Sequence, residues 1–165
     1  MTMSKEDNLK RELHNWIEGV YRPTHFLTVQ LPENQKSESL SHSTSHLRSI
    51  MIEFERYLLK RHWNKKHLPF ICFAEKGSSQ EWHFHILLNQ REFTDQQLQN
   101  AVYDVNIRLS LPGYCLELVP IINDVIRVEG YATKEIHITD FGSYDSDRII
   151  LSHDLFYLPY KKIYV

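Results

Sequence analysis

Two apolar runs, LPFICFAE at 68–75 and WHFHILL at 82–88, flank the polar stretch KGSSQE. The connection is hairpin length, so the runs are expected to pair as antiparallel strands. This feature restricts the fold more tightly than any other, because strand side chains alternate between faces and the register decides which of them meet. His83 and His85 then point to one face and Phe84 to the other. If Glu75 lies opposite His83, Phe73 lies opposite His85 and Ile71 opposite Leu87, which places Glu75 on the histidine face. Cys72, Ala74, Trp82, Phe84 and Ile86 share the other face, which suits packing against helices. Histidine is costly to bury without a partner, so a pair of them inside a core-like strand needs a reason.

The rest of the chain supplies elements around this hairpin. Leu9, Leu13, Trp16 and Ile17 give helical spacing over 4–19, and HFLTVQL at 25–31 reads as a strand ended by Pro32. ENQKSESLSHSTS at 33–45 reads as a polar loop. Leu47, Ile50, Met51, Phe54, Leu58 and Leu59 form a helical stripe from His46 to Arg61. Thr94 is a good N-cap for a helix running to about Leu109, and YCLELVPI at 114–121 is a further strand. A short helix is expected over DVIRVEGYATKE at 124–135, with EIHIT and RIILSHDLFYL as terminal strands. Strand, helix, strand, strand, helix, strand is the ferredoxin-like (RRM-like) α+β order, an antiparallel sheet with helices on one face. The helix near 123–135 is expected by the other face.

At 165 residues the chain is expected to form a single domain over 1–165, its core at about 24–140, with a helix at 4–19 before it and a strand and tail at 148–165 after it. No apolar run approaches the roughly 20 residues that span a bilayer, and MTMSKEDNLKRELHNW lacks the apolar centre of a signal peptide. Cys72 and Cys115 suggest neither a disulfide framework nor a zinc site. A soluble, cytoplasmic protein is expected. The net charge of −2 gives no overall push toward nucleic acid, but seven Lys/Arg stand against three Glu between Thr44 and Lys76. Three Lys/Arg stand against seven Asp/Glu between Asn123 and Asp154. The two segments read either as solvated surfaces of opposite sign or as a basic half that faces a polyanion.

Two imidazoles and one carboxylate on adjacent strands can bind a divalent cation and leave positions open for a substrate. Glu81, in the turn, is a rival third ligand. A histidine pair on a solvated sheet face is the plainer alternative. In the segment DVIRVEGYATKE, helical geometry lines up Asp124, Arg127, Tyr131 and Lys134, with Val125, Val128 and Ala132 on the packing side. A tyrosine hydroxyl can attack phosphorus once its proton is removed and phosphate charge is neutralised. Lys134, three residues on, can steady the phosphate or the tyrosinate. Tyr57 and Lys60 repeat the same spacing and are assigned to structure.

Taken together, FLTVQL at 26–31, the acidic residue followed one hairpin later by His-Phe-His (Glu75 to His85) and GYATKE at 130–135 resemble the three motifs of HUH endonuclease domains. These are the rolling-circle replication initiators (Rep proteins) of small viruses and plasmids. The EKG of the hairpin is similar to the parvovirus-type version, and the tyrosine and lysine are similar to the circovirus type. The resemblance covers about residues 24–140 and implies a single-tyrosine enzyme. It implies Mg²⁺ or Mn²⁺ held by Glu75, His83 and His85 on a phosphate of single-stranded DNA (an origin or hairpin). It further implies attack by Tyr131, a 5′-phosphotyrosine link and a free 3′-hydroxyl, with rejoining by the reverse step. Lys134 would assist, Arg127, Lys76, Lys65 and Lys66 would contact the DNA backbone, and a separate helicase would unwind duplex. A single-tyrosine transposase or mobilisation relaxase would use the same site. A non-catalytic single-strand-binding module would bind without metal. A metalloenzyme using hydroxide would dispense with Tyr131.

Overall fold

The computed structural model describes residues 4–122 and 149–156. In chain order these form α1 (Lys5–Trp16) followed by a π-helical turn (Ile17–Tyr21), β1 (His25–Gln30), α2 (Leu40–Leu59), β2 (Phe70–Lys76), β3 (Trp82–Leu88), α3 (Asp95–Arg108), β4 (Leu116–Pro120), β5 (Ile149–Leu151) and α4 (Ser152–Leu155). The strands make one antiparallel five-stranded sheet in the order β4-β1-β3-β2-β5. The fold is α+β, and its first four strands have the order that the ferredoxin-like connection produces. Among the described residues no helix is long and apolar enough to cross a membrane.

Strand parity divides the sheet into two faces. Leu27, Val29, Cys72, Ala74, Phe84, Ile86, Leu116 and Leu118 lie in one buried cluster with Leu47, Ile50, Met51 and Phe54 of α2 and Leu98, Ala101, Val102 and Val105 of α3. That cluster is the main core. Burying side chains of this size is worth about 1.5–3 kcal/mol each before the opposing entropy is counted. The other face is split. Ile71, Phe73 and Leu87 pack with Ile17, Leu9, Leu13 and Tyr21 of the N-terminal helical segment, so α1 covers the apolar end of that face. Tyr21 fastens the segment, its hydroxyl donating to the Leu87 carbonyl at 2.7 Å. The polar end of the face, holding Glu75, His83 and His85, continues beyond this cover.

Local chemistry explains where elements start and where expectation and structure part. Thr94 caps α3, and Gln97 reaches back to close a capping box. Helix α2 begins at Leu40 within the stretch expected to be loop, with Ser39 Oγ accepting from the His42 amide at 3.2 Å. Its first turns are hidden from a hydrophobic pattern because Ser43, a hydroxyl residue, occupies a fully buried helix position. The last expected strand, RIILSHDLFYL, is shorter than its apolar content suggests. It pairs with β2 only through Ile149–Leu151, and Ser152 then opens the short α4. The expected helix at 124–135 and strand at EIHIT lie outside the described residues.

Candidate metal centre on the open sheet face

The β2–β3 register pairs Glu75 with His83, Phe73 with His85 and Ile71 with Leu87, as strand alternation predicts. It brings three donor atoms into one place. Glu75 Oε2 lies 2.7 Å from His83 Nε2 and 2.6 Å from His85 Nε2. One ligand atom from each residue falls within 4.8 Å of the others, the only such group of three found among the described residues. Glu81 is not part of it; its carboxylate folds back over Gly77 in the turn, where an added Cβ would come 2.8 Å from Glu81 Oε1.

The site is graded in exposure. Glu75 and His85 are buried, whereas the His83 side chain is 20% exposed, so the cluster opens to solvent at His83. Phe26 stacks on the His85 ring with centroids 5.4 Å apart and planes within 10°, and His83 meets His85 edge-on at 5.2 Å. Both rings therefore have packed neighbours that fix their direction. Two imidazole nitrogens and a carboxylate oxygen form a borderline-to-hard donor set that fits a divalent ion such as Mn²⁺ or Mg²⁺. Their convergence on one point from adjacent strands fits such an ion as well.

A cleft of about 360 Å³ opens beside the histidines. Its floor is the alternate residues of β1 (Phe26, Thr28 and Gln30), and its far wall is Glu117, Val119 and Ile121. Sequence reasoning singled out none of Thr28, Gln30 or Glu117. The signal was present as polar residues at alternate positions of otherwise apolar strands, on the face that carries the histidines. A second cleft of about 230 Å³ lies on the other side of His83, between Lys36, Glu81 and Trp82. The Lys36 ammonium is held above its ordinary range, chiefly by its bond to Glu33 at 2.7 Å.

The expected backbone-contact residues are not gathered at the cluster. Lys76 pairs with Trp82 on the helix-covered face, its ammonium 5.6 Å from the Trp82 ring. Lys65 and Lys66 lie in the turns between α2 and β2, and Lys66 is paired with Glu92 at 3.2 Å. Tyr131, Lys134 and Arg127 lie outside the described residues. Cys72 and Cys115 are free and buried, and burial raises both thiol pKa values.

Fold and site together define an α+β protein whose antiparallel sheet carries a candidate metal centre on its open face. The chain matches the family model for the replication-associated protein of the ORF2 type over residues 24–137, and it belongs to that family. The match includes Glu75, His83 and His85 and extends past Tyr131 and Lys134. No curated protein and no solved structure matches the chain.

Proposed function

We propose that this replication-associated protein is an HUH-type nuclease that nicks and rejoins single-stranded DNA to start rolling-circle replication. The observation that carries the reading is the meeting of Glu75, His83 and His85 on the open sheet face, inside the segment that matches the replication family. A divalent cation held there would polarise a phosphate and offset charge that builds on its oxygens during attack. Glu75 fixes the directions of both histidines, and Phe26 holds the His85 ring from behind.

Tyr131 is the proposed nucleophile and Lys134 its partner. The Tyr131 oxygen forms a bond to phosphorus as the bond from phosphorus to the 3′ oxygen breaks. The departing 3′ oxygen takes up a proton, and the 5′ side of the break stays on the tyrosine. Attack by a 3′-hydroxyl on that linkage reverses the step, which joins an end and frees Tyr131. Arg127, Lys65, Lys66 and Lys76 are proposed as peripheral backbone contacts. A transposase or mobilisation enzyme of the same chemistry differs in its DNA rather than in its site.

The test uses single-stranded DNA labelled at the 3′ end, random or hairpin, with Mn²⁺ or with chelator. A labelled protein band that requires metal and is absent in Tyr131→Phe and in His83→Ala/His85→Ala is the expected result. A Tyr131→Phe protein that nicks at the wild-type rate removes the nucleophile assignment. Mn²⁺ titration separates the carboxylates: Glu75→Gln should weaken binding and Glu81→Gln should leave it unchanged.

A further inference from the structure

The cleft beside the cluster has two chemically different ends. Thr28 pairs with His85 on one side and with Glu117 on the other, so His85, Thr28 and Glu117 form one row across the sheet. Neighbouring strands lie about 4.8 Å apart, which puts Glu117 roughly 10 Å from His85. Glu117 is exposed and lines the cleft, with Val119 and Ile121 beside it and Phe26 on the floor. Among the described lining residues there is no lysine or arginine. A phosphate set down at the Glu117 end would therefore meet an anion with no cation close by to offset it. An uncharged ring with N–H donors would meet an acceptor and apolar walls instead.

We propose that Glu117 is a specificity-determining residue that accepts a hydrogen bond from the exocyclic amino group of a nucleobase seated at the β1–β4 end of the cleft. The inference rests on the single-stranded DNA reading above, and adds which bases the site takes. A carboxylate only accepts, whereas the Thr28 hydroxyl and the Gln30 amide can both donate and accept. Glu117 alone therefore sets the sign of discrimination. Cytosine and adenine present an amino group on the edge where thymine presents the O4 acceptor. Thymine at this position would set an oxygen against the Glu117 carboxylate, so the cleft selects against it.

Fluorescence anisotropy tests this with deoxycytidine and deoxythymidine dodecamers, chelator being present so that strand cleavage does not intrude. Wild type should bind the cytosine strand about tenfold more tightly than the thymine strand, the scale of one good base contact. Glu117→Ala and Glu117→Gln, with folding checked by thermal melts, should reduce that preference to near unity. The Gln amide can turn to suit either base, so it removes the preference without removing the side chain. Equal affinities in wild type, or a Glu117→Ala protein that binds both strands more tightly by the same factor, would overturn the assignment and leave only a repulsive surface charge. Binding to neither strand would remove the single-stranded DNA reading along with it.

Discussion

Glu55 carries its carboxylate into the helix-covered core, where it is fully buried. Both oxygens are engaged: His67 Nδ1 lies 2.7 Å from Oε2, and the Leu68 amide donates to Oε1 at 2.7 Å. Burial raises its pKa above the ordinary 4.5, and the bonds from His67 and Leu68 pull it back only in part. A carboxyl group whose pKa is raised by folding holds its proton more tightly in the native state. Its contribution to stability is complete below pH 4.5 and is lost as pH climbs through the raised folded value. Glutamine imitates the protonated form, so Glu55→Gln should match wild type at low pH and gain on it as pH rises. Thermal melts from pH 4 to 8 would measure the gap; a gap that stays constant with pH would reject this account. Glu75 is also largely buried, but its carboxylate meets two histidines on an open face, and that difference separates a structural clamp from a candidate site.

At the scale of elements, the hairpin that carries the cluster turns through Gly77–Glu81. The Gly77 amide donates to the Glu81 carbonyl at 2.7 Å, and Gln80 sits in the left-handed region at φ 66°. That conformation is strained for an L side chain and unstrained for glycine. Gln80→Gly is thus expected to stabilise the protein by about 0.5–1 kcal/mol, read as a rise in urea midpoint. At the N-terminal segment the opposite is expected. Ile17 is fully buried between α1 and the sheet, and Ile17→Ala should cost about 2–4 kcal/mol in the same assay. The hairpin register was legible in the sequence because parity is local, and Thr94 was legible as a cap because capping needs only a few neighbouring residues. The start of α2 was not, since Ser43 breaks the apolar stripe while occupying a core position. The Glu75, His83 and His85 cluster could be read for the same local reason as the register. Glu117 could not, because its relation to His85 runs through β1 and depends on a strand order that no short window contains.

For the whole molecule, charge placement decides how DNA affinity should respond to salt. Lys65 and Lys66 precede β2, whose first residue lies five positions from Glu75, roughly 17 Å along the strand. Residues so far from the cluster hold a backbone without reading bases. Alanine at both positions should weaken binding to all sequences alike and leave the cytosine-to-thymine ratio intact. For every phosphate no longer neutralised, the slope of log affinity against log salt should become shallower by about 0.7. An altered ratio with an unaltered slope would place these lysines at the base-reading end instead.

The three candidate ligands all fall between Glu75 and His85, on one hairpin, whereas Glu117 belongs to an edge strand paired only to β1. Bringing the ligands together closes a short loop and costs little chain entropy, while seating Glu117 requires distant parts of the chain to dock. Edge strands open more readily than central ones. A molecule with β4 transiently detached would thus keep its cation-binding hairpin but lose its discrimination among bases. Fidelity, on this view, is the less durable of the two properties, and conditions that loosen the sheet edge should yield a less selective protein before they yield a metal-free one.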